Sequence, residues 1–106
     1  MQVIDLTSIK SCQSMVMAAD YAVATAHYEG GLLVKFVVRS RFAAKHLRRS
    51  LREWKQKKRV SYIIPGERYD LSNVLTQYMI NRFPDEANDS DIGAANPLIT
   101  VVYIYS

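Results

Sequence analysis

The architecture of this 106-residue chain follows from residues 32–59, LLVKFVVRSRFAAKHLRRSLREWKQKKR. The stretch opens with an apolar run, residues 32–38, whose length and composition are typical of a buried β-strand. In residues 42–57, apolar side chains then recur at the spacing of one helix face. They are Ala44, Leu47, Leu51 and Trp54. Ser40 precedes them and is a predicted helix N-cap. The sequence therefore predicts a strand that leads directly into an amphipathic helix.

The charge of this stretch is one-sided. Residues 35–59 contain eleven of the chain's 14 Lys and Arg residues but only one of its ten acids, Glu53. The remaining 81 residues carry three cations and nine acids, so the net charge of +4 conceals a basic segment and an acidic remainder. Mixed charges are the usual way to make a helix surface soluble. A face of a single sign is instead typical of proteins that bind a polyanion.

We predict that this basic surface binds the phosphates of nucleic acid, because phosphate neutralisation releases counterions and requires a patch of one charge. The predicted contact residues lie on the strand-to-helix turn and on the helix face opposite the apolar one. They are Arg39, Arg41, Lys45, Arg48, Arg49, Arg52 and Lys55. Two alternatives stay open: the solvated face of a surface helix, and a protein-interaction module for an acidic partner. A membrane surface is disfavoured, because the apolar helix face is narrow.

The flanking segments predict a single domain over residues 1–106 with the element order β-α-β-α-β-α-β. The predicted strands are residues 2–6, 32–38, 60–64 and 99–105; the predicted helices are 12–27, 42–57 and 70–83. Gly30 is a predicted left-handed C-cap and Asp70 a predicted N-cap. The third helix has a predicted apolar face of Leu71, Val74, Leu75, Tyr78 and Met79. A two-layer α/β sandwich with a mixed four-stranded sheet would bury these faces, and the last strand can run antiparallel.

Composition bears on compartment and cofactors. The single cysteine, Cys12, rules out an intrachain disulfide and favours a reducing compartment. No apolar run approaches the ~20 residues of a membrane helix, and the N-terminus lacks the basic region of a signal peptide. We therefore expect a cytoplasmic domain without membrane association. The chain has no His-x-x-x-His or Cys-x-x-Cys spacing, so we expect neither a structural zinc nor another resident cofactor.

Residues 84–98 form an acidic, Gly- and Asn-containing loop. Its acids are Asp85, Glu86, Asp89 and Asp91. They either solvate the loop or fold it over the basic helix and mask it. Among the aromatic residues, Trp54 shares the register of Leu47 and Leu51, which predicts core packing. Tyr62 and Tyr69 are candidates for stacking on a base if they are exposed.

Short motifs recur through the chain in a recognisable order. Residues 4–7 read Ile-Asp-Leu-Thr, and Leu47-Arg48 falls in the second helix. Three later segments are Ile64-Pro65-Gly66-Glu67, Asp89-Ser90-Asp91 and Asn96-Pro97-Leu98-Ile99-Thr100-Val101-Val102. In this order they resemble the Smr (small MutS-related) domain family, and the last three resemble a bacterial subgroup of it. The resemblance implies a fold similar to the C-terminal domain of translation initiation factor 3, in a family of nucleases and nucleic-acid binders.

The departures from the family pattern fall on its chemistry. Thr7 stands where the family's Leu-Asp-x-His motif has histidine, and Arg39-Ser40-Arg41-Phe42 stands where the family has His-Gly-x-Gly. Glycines there would let the backbone approach a phosphate, whereas Arg39 and Arg41 can bind phosphate through their guanidinium groups. We therefore predict an Smr-like nucleic-acid-binding domain without nuclease activity. The alternative is a metal-assisted DNA or RNA endonuclease, in which Asp5 and later carboxylates (Glu67, Asp70, Asp89 and Asp91) hold Mg²⁺.

Overall fold

The computed structural model describes residues 1–30 and 33–104. Its strands are β1 (Gln2–Asp5), β2 (Leu33–Val37), β3 (Val60–Pro65) and β4 (Ile99–Ile104), and its α-helices are α1 (Cys12–Glu29), α2 (Arg41–Gln56) and α3 (Val74–Arg82). Two short 3₁₀ turns, Gly66–Arg68 and Pro84–Asn88, follow β3 and α3. The predicted order of elements is confirmed. Leu32 and Tyr105, which belonged to predicted strands, lie outside the described residues.

The four strands form one mixed sheet in the order β1-β2-β4-β3. β1 pairs with β2 in parallel, as predicted, and β4 runs antiparallel to both β2 and β3. β4 is the last strand in the chain but lies between β2 and β3, and almost all of its side chains are buried. Because β4 runs antiparallel to both neighbours, β1, β2 and β3 all point the same way, and their carboxyl ends share one edge of the sheet.

Helices α1 and α2 pack on one face of this sheet, which confirms the two-layer α/β sandwich. Val34 and Phe36 of β2 meet Leu47 and Leu51 of α2 in this core. The opposite face of the sheet is also covered. There α3 and the acidic loop (residues 84–98) pack on a second cluster of buried side chains. A register shift in β3 between Val60 and Tyr62 serves both cores, since it turns these two side chains to opposite faces.

Two predicted caps are confirmed. The hydroxyl of Ser40 accepts a hydrogen bond from the amide of Ala43 at 3.1 Å and so begins α2. Gly30 ends α1 with a φ of 75°, a left-handed conformation that glycine adopts without steric cost. The predicted apolar face of α2 is buried throughout its length. The prediction that residues 32–59 contain a buried strand followed directly by an amphipathic helix is therefore confirmed for the described residues.

The third helix begins later than predicted. Its N-cap is Asn73, whose Oδ1 accepts from the amides of Leu75 and Thr76 at 2.9 and 3.1 Å. Asp70 does not cap it; its carboxylate instead accepts from the amide of Ser72 at 2.9 Å. The predicted apolar face is also partly wrong. Leu71, Val74 and Tyr78 are exposed, whereas Thr76 and Met79 are buried. Contact with the sheet, which the helical period alone does not specify, decides which side of α3 is covered.

Candidate functional site

The candidate site lies at the sheet edge where the three parallel strands end. Asp5 ends β1, Arg39 and Ser40 connect β2 to α2, and Gly66 begins the turn after β3. In open α/β sheets this edge is where ligands commonly bind. Residues that are far apart in the sequence are therefore brought to one side of the molecule.

An open groove of about 780 Å³ lies between α2 and the segments that flank β3. The wall formed by α2 is cationic and contains Arg41, Lys45, Arg48 and Arg52. Their spacing of i, i+4, i+7 and i+11 places them in one stripe along the helix. The remaining lining residues are Ile63, Pro65, Glu67, Arg68, Asn73, Leu75, Ala95 and Pro97. The groove thus has five cations and a single carboxylate among its lining residues.

The wall opposite α2 depends on a close backbone contact at Gly66. A Cβ atom at this position would lie 1.8 Å from the carbonyl oxygen of Asn96 and 2.7 Å from Cγ1 of Ile99. Only glycine allows the turn after β3 to approach the start of β4 so closely. This approach places Glu67 within reach of α2.

Arg48 is held inside the protein rather than offered to solvent. Its Nε donates to Oγ1 of Thr100 at 3.0 Å, and a terminal nitrogen donates to the carbonyls of Pro97 and Ile99 at 3.2 and 2.9 Å. Its two terminal nitrogens also donate to the carboxylate of Glu67 at 3.2 and 2.9 Å. The side chain is only 12% exposed. We therefore assign Arg48 to positioning the groove walls, and its predicted contact with phosphate is not supported by this geometry.

Glu67 is ionised in this arrangement. Partial burial raises the pKa of Glu67. The hydrogen bonds from Arg48 and the charges of Arg48 and Arg41 lower it by more, so the net pKa lies below the usual glutamate range. Its negative charge is directed at Arg48, which fixes the guanidinium in place.

The other predicted contact residues are exposed, and we refer to them together as the cationic face. They are Arg39, Arg41, Lys45, Arg49, Arg52 and Lys55. Over residues 1–30 and 33–104, no carboxylate lies within 4.0 Å of their charged groups. The ion-paired cations of the basic stretch are Lys35, Arg48 and Arg59. At 1.5 Å per residue, the α2 members from Arg41 to Lys55 extend along about 21 Å of helix.

Lys35 does not belong to the cationic face. It is buried on the opposite side of the sheet, where its Nζ lies 2.6 Å from Oδ2 of Asp89 and 2.7 Å from Oδ2 of Asp91. The hydroxyl of Tyr69 donates to Asp89 at 2.8 Å. Asp89 and Asp91 therefore neither solvate the loop nor mask α2, and both of those interpretations are wrong for this pair. The loop is instead fastened to the far face of the sheet.

The aromatic residues are distributed differently from expectation. Trp54 is buried, as predicted, with the guanidinium of Arg59 5.1 Å from its ring centre. Tyr62 and Tyr69 are also buried, which removes them as stacking candidates. Phe42, which was not predicted as a contact residue, is 73% exposed. The sequence could have indicated this position, because Phe42 lies three residues before Lys45 and seven before Arg49. That spacing places Phe42 on the same side of α2 as these two cations.

The carboxylates proposed for a metal site do not converge in the described residues. Asp5 accepts hydrogen bonds from the amide and hydroxyl of Thr7 at 2.9 and 2.6 Å, and these bonds lower its pKa. Glu67 and Asp70 bond to Arg48 and Ser72 instead. In the part of the chain that the structure describes, no group of three His, Cys, Asp or Glu side chains is placed to hold a metal ion.

The described helices include none that is both long and apolar enough to cross a membrane. Comparisons with protein-family models, curated proteins and solved structures gave no match. The resemblance to the Smr family accordingly stays a prediction from the motifs.

Proposed function

We propose that this domain binds nucleic acid by neutralising backbone phosphates along the cationic face. The observation that carries the proposal is the distribution of ion pairs. Carboxylates of this acidic remainder pair with Lys35, Arg48 and Arg59, yet none in the described residues lies within ion-pair distance of the cationic face. A surface that only needed solubility would be expected to mix the two signs.

Geometry supports phosphate as the ligand. The α2 members of the cationic face recur about once per helical turn, or roughly every 5 Å along the axis. Over the same length of about 21 Å, one strand of a duplex presents about six phosphates, at about 3.4 Å of axis each, to these five cations. Four of the six cations are arginines, whose planar guanidinium groups bind phosphate oxygens in pairs. We propose that this is an Smr-like domain without nuclease activity, and that it acts in the cytoplasm, where its one cysteine is kept reduced.

A salt titration tests the proposal. Fluorescence anisotropy of a labelled 20-mer should give a line when log affinity is plotted against log salt. If about five cations contact phosphates at once, we expect a slope near −4.5 on duplex DNA and near −3.5 on a single strand. A slope near zero, or no binding at 50 mM salt, would refute the proposal.

An acidic protein partner is the remaining alternative, and competition separates it from nucleic acid. Polyglutamate of matched charge carries carboxylates without the tetrahedral oxygens of phosphate. We expect it to displace the oligonucleotide only at a large excess. Equal competition per charge would favour the protein-interaction reading.

A further inference from the structure

Several large apolar side chains are exposed in the described residues, and Phe42 is the one that lies on α2 among the cations. Its side chain is 73% exposed on α2, although burial of an aromatic ring is favourable. It lies in the first turn of α2, beside the stripe of cations that begins with Arg41 and Lys45. An apolar ring among cations contributes nothing to phosphate neutralisation.

The ring has a defined setting. Its centroid lies 6.4 Å from that of His46, one helical turn further on, with 27° between the two planes. This stacked contact is made on one side of the phenyl ring and favours one rotamer. The high exposed fraction shows that much of the remaining ring surface faces solvent. Lys45 lies at i+3 from Phe42 and is its neighbour on the helix surface, and Arg49 follows about one turn further along the same side.

We infer that Phe42 is a stacking platform for an unpaired base, and that the ligand of the cationic face is single-stranded nucleic acid. The inference rests on the proposed function. In a duplex the bases are paired and stacked on one another, and they face inward, so a surface ring beside the phosphates has no base to contact. In a single strand the base next to a bound phosphate is free to stack on an aromatic side chain. The groove beside α2, with half-buried Ile63, Pro65 and Leu75 in its lining, gives further apolar surface for unpaired bases.

The test compares a 12-nucleotide single strand with a duplex of equal phosphate count for three variants of Phe42. Removing one base-stacking contact weakens binding by about five- to 150-fold. We expect Phe42→Ala to lose that factor on the single strand and to stay within about twofold of wild type on the duplex. Phe42→Tyr should retain wild-type affinity, whereas Phe42→Leu, which is apolar but cannot stack as an aromatic, should resemble the alanine variant. The salt slope should not change, because no charge is removed.

A matched control is Tyr21→Ala, which removes an aromatic ring that is 75% exposed on α1 and belongs neither to the cationic face nor to the groove lining. It should leave both affinities unchanged. Because Phe42 is exposed, thermal unfolding of its variants should match that of wild type, which keeps a folding defect from mimicking lost stacking.

The outcomes separate the two claims. If wild type binds neither ligand at low salt, the proposed function itself is refuted. If wild type binds but Phe42→Ala keeps its single-strand affinity, or Phe42→Leu matches wild type, the stacking inference alone is refuted. An equal loss on the duplex would also overturn it, because Phe42 would then act as a wedge between base pairs.

Discussion

At the scale of single residues, the two arginines at positions 48 and 52 show how charge on one helix face divides into separate roles. Both lie on the stripe that lines the groove. The guanidinium of Arg48 satisfies the carbonyls of Pro97 and Ile99 and pairs with Glu67, whereas Arg52 is exposed. Helical spacing makes the two equivalent, so the sequence assigned them the same role. What distinguishes them is the chain segment that lies opposite, which depends on how β3 and β4 pair.

Stability measurements should separate these roles. Arg48→Ala leaves Glu67 and the part-buried carbonyls of Pro97 and Ile99 without this donor, so we expect the free energy of unfolding to fall by about 2–3 kcal/mol. Arg52→Ala removes an exposed side chain and should change it by less than about 0.5 kcal/mol. Urea unfolding followed by circular dichroism measures both variants. Equal effects on stability would contradict the assignment of Arg48 to positioning.

At the scale of elements, the parts that the sequence predicted well are those set by local spacing. The apolar period of α2, the hydroxyl of Ser40 and the glycine at position 30 act within a few residues, so they can be read without knowing the fold. The start of α3 was missed because Asp70 and Asn73 are both residue types that favour an N-cap, and helical spacing alone does not choose between them. Contacts such as Lys35 with Asp91, 56 residues apart, have no local signature.

The pairing of Lys35 with the acidic loop predicts a pH dependence of stability. Burial raises the pKa of Asp89, but the hydrogen bonds from Lys35, Asp91 and Tyr69 lower it by more, so its net pKa is depressed. A depressed carboxyl pKa stabilises the fold above the unfolded value of about 3.9, and this contribution is lost as the pH falls through the folded pKa. Burial lowers the pKa of Lys35, while Asp89 and Asp91 raise it by more, so its contribution is lost only in strong alkali.

Lys35→Met tests this dependence. It leaves Asp89 and Asp91 without their cation, and we expect a loss of about 3 kcal/mol in the free energy of unfolding at pH 7. The difference from wild type should shrink as the pH falls through the depressed pKa of Asp89, because the ion pair is then lost in wild type as well. Urea unfolding from pH 3 to pH 8 measures it. Asp20→Asn, which breaks the exposed ion pair with Arg59, is the control and should cost less than about 1 kcal/mol. A difference that stays constant with pH would contradict the assignment.

At the scale of the whole molecule, the question is whether net charge or its arrangement carries the function. The chain holds a net charge of +4. This net charge is the sum of two separate regions. The acidic loop is held by its ion pairs with Lys35 on the far side of the sheet, and the cationic face lies along α2. The sequence predicted the excess of cations and most of the residues on the face. It could not predict that the acids would lie elsewhere, since only the sheet order β1-β2-β4-β3 places them there.

Two triple variants with the same net charge separate arrangement from total charge. Arg41, Lys45 and Arg52 are changed to Gln in one, and Lys10, Lys57 and Lys58 are changed to Gln in the other. Both sets are exposed, and both variants carry a formal charge of +1 instead of +4. The first should lose about a hundredfold in affinity at 0.1 M salt, and its salt slope should become shallower by about 2, because three phosphate contacts are removed.

The second variant should stay within a few-fold of wild type with nearly the same slope, since its lysines belong neither to the groove lining nor to the cationic face. Fluorescence anisotropy of one single-stranded 20-mer at four salt concentrations measures wild type and both variants. If the two variants lose affinity equally, binding follows net charge alone, and the cationic face is not a site. If only the first loses affinity, the position of these side chains along α2 determines binding, because the number of charges removed is the same in both.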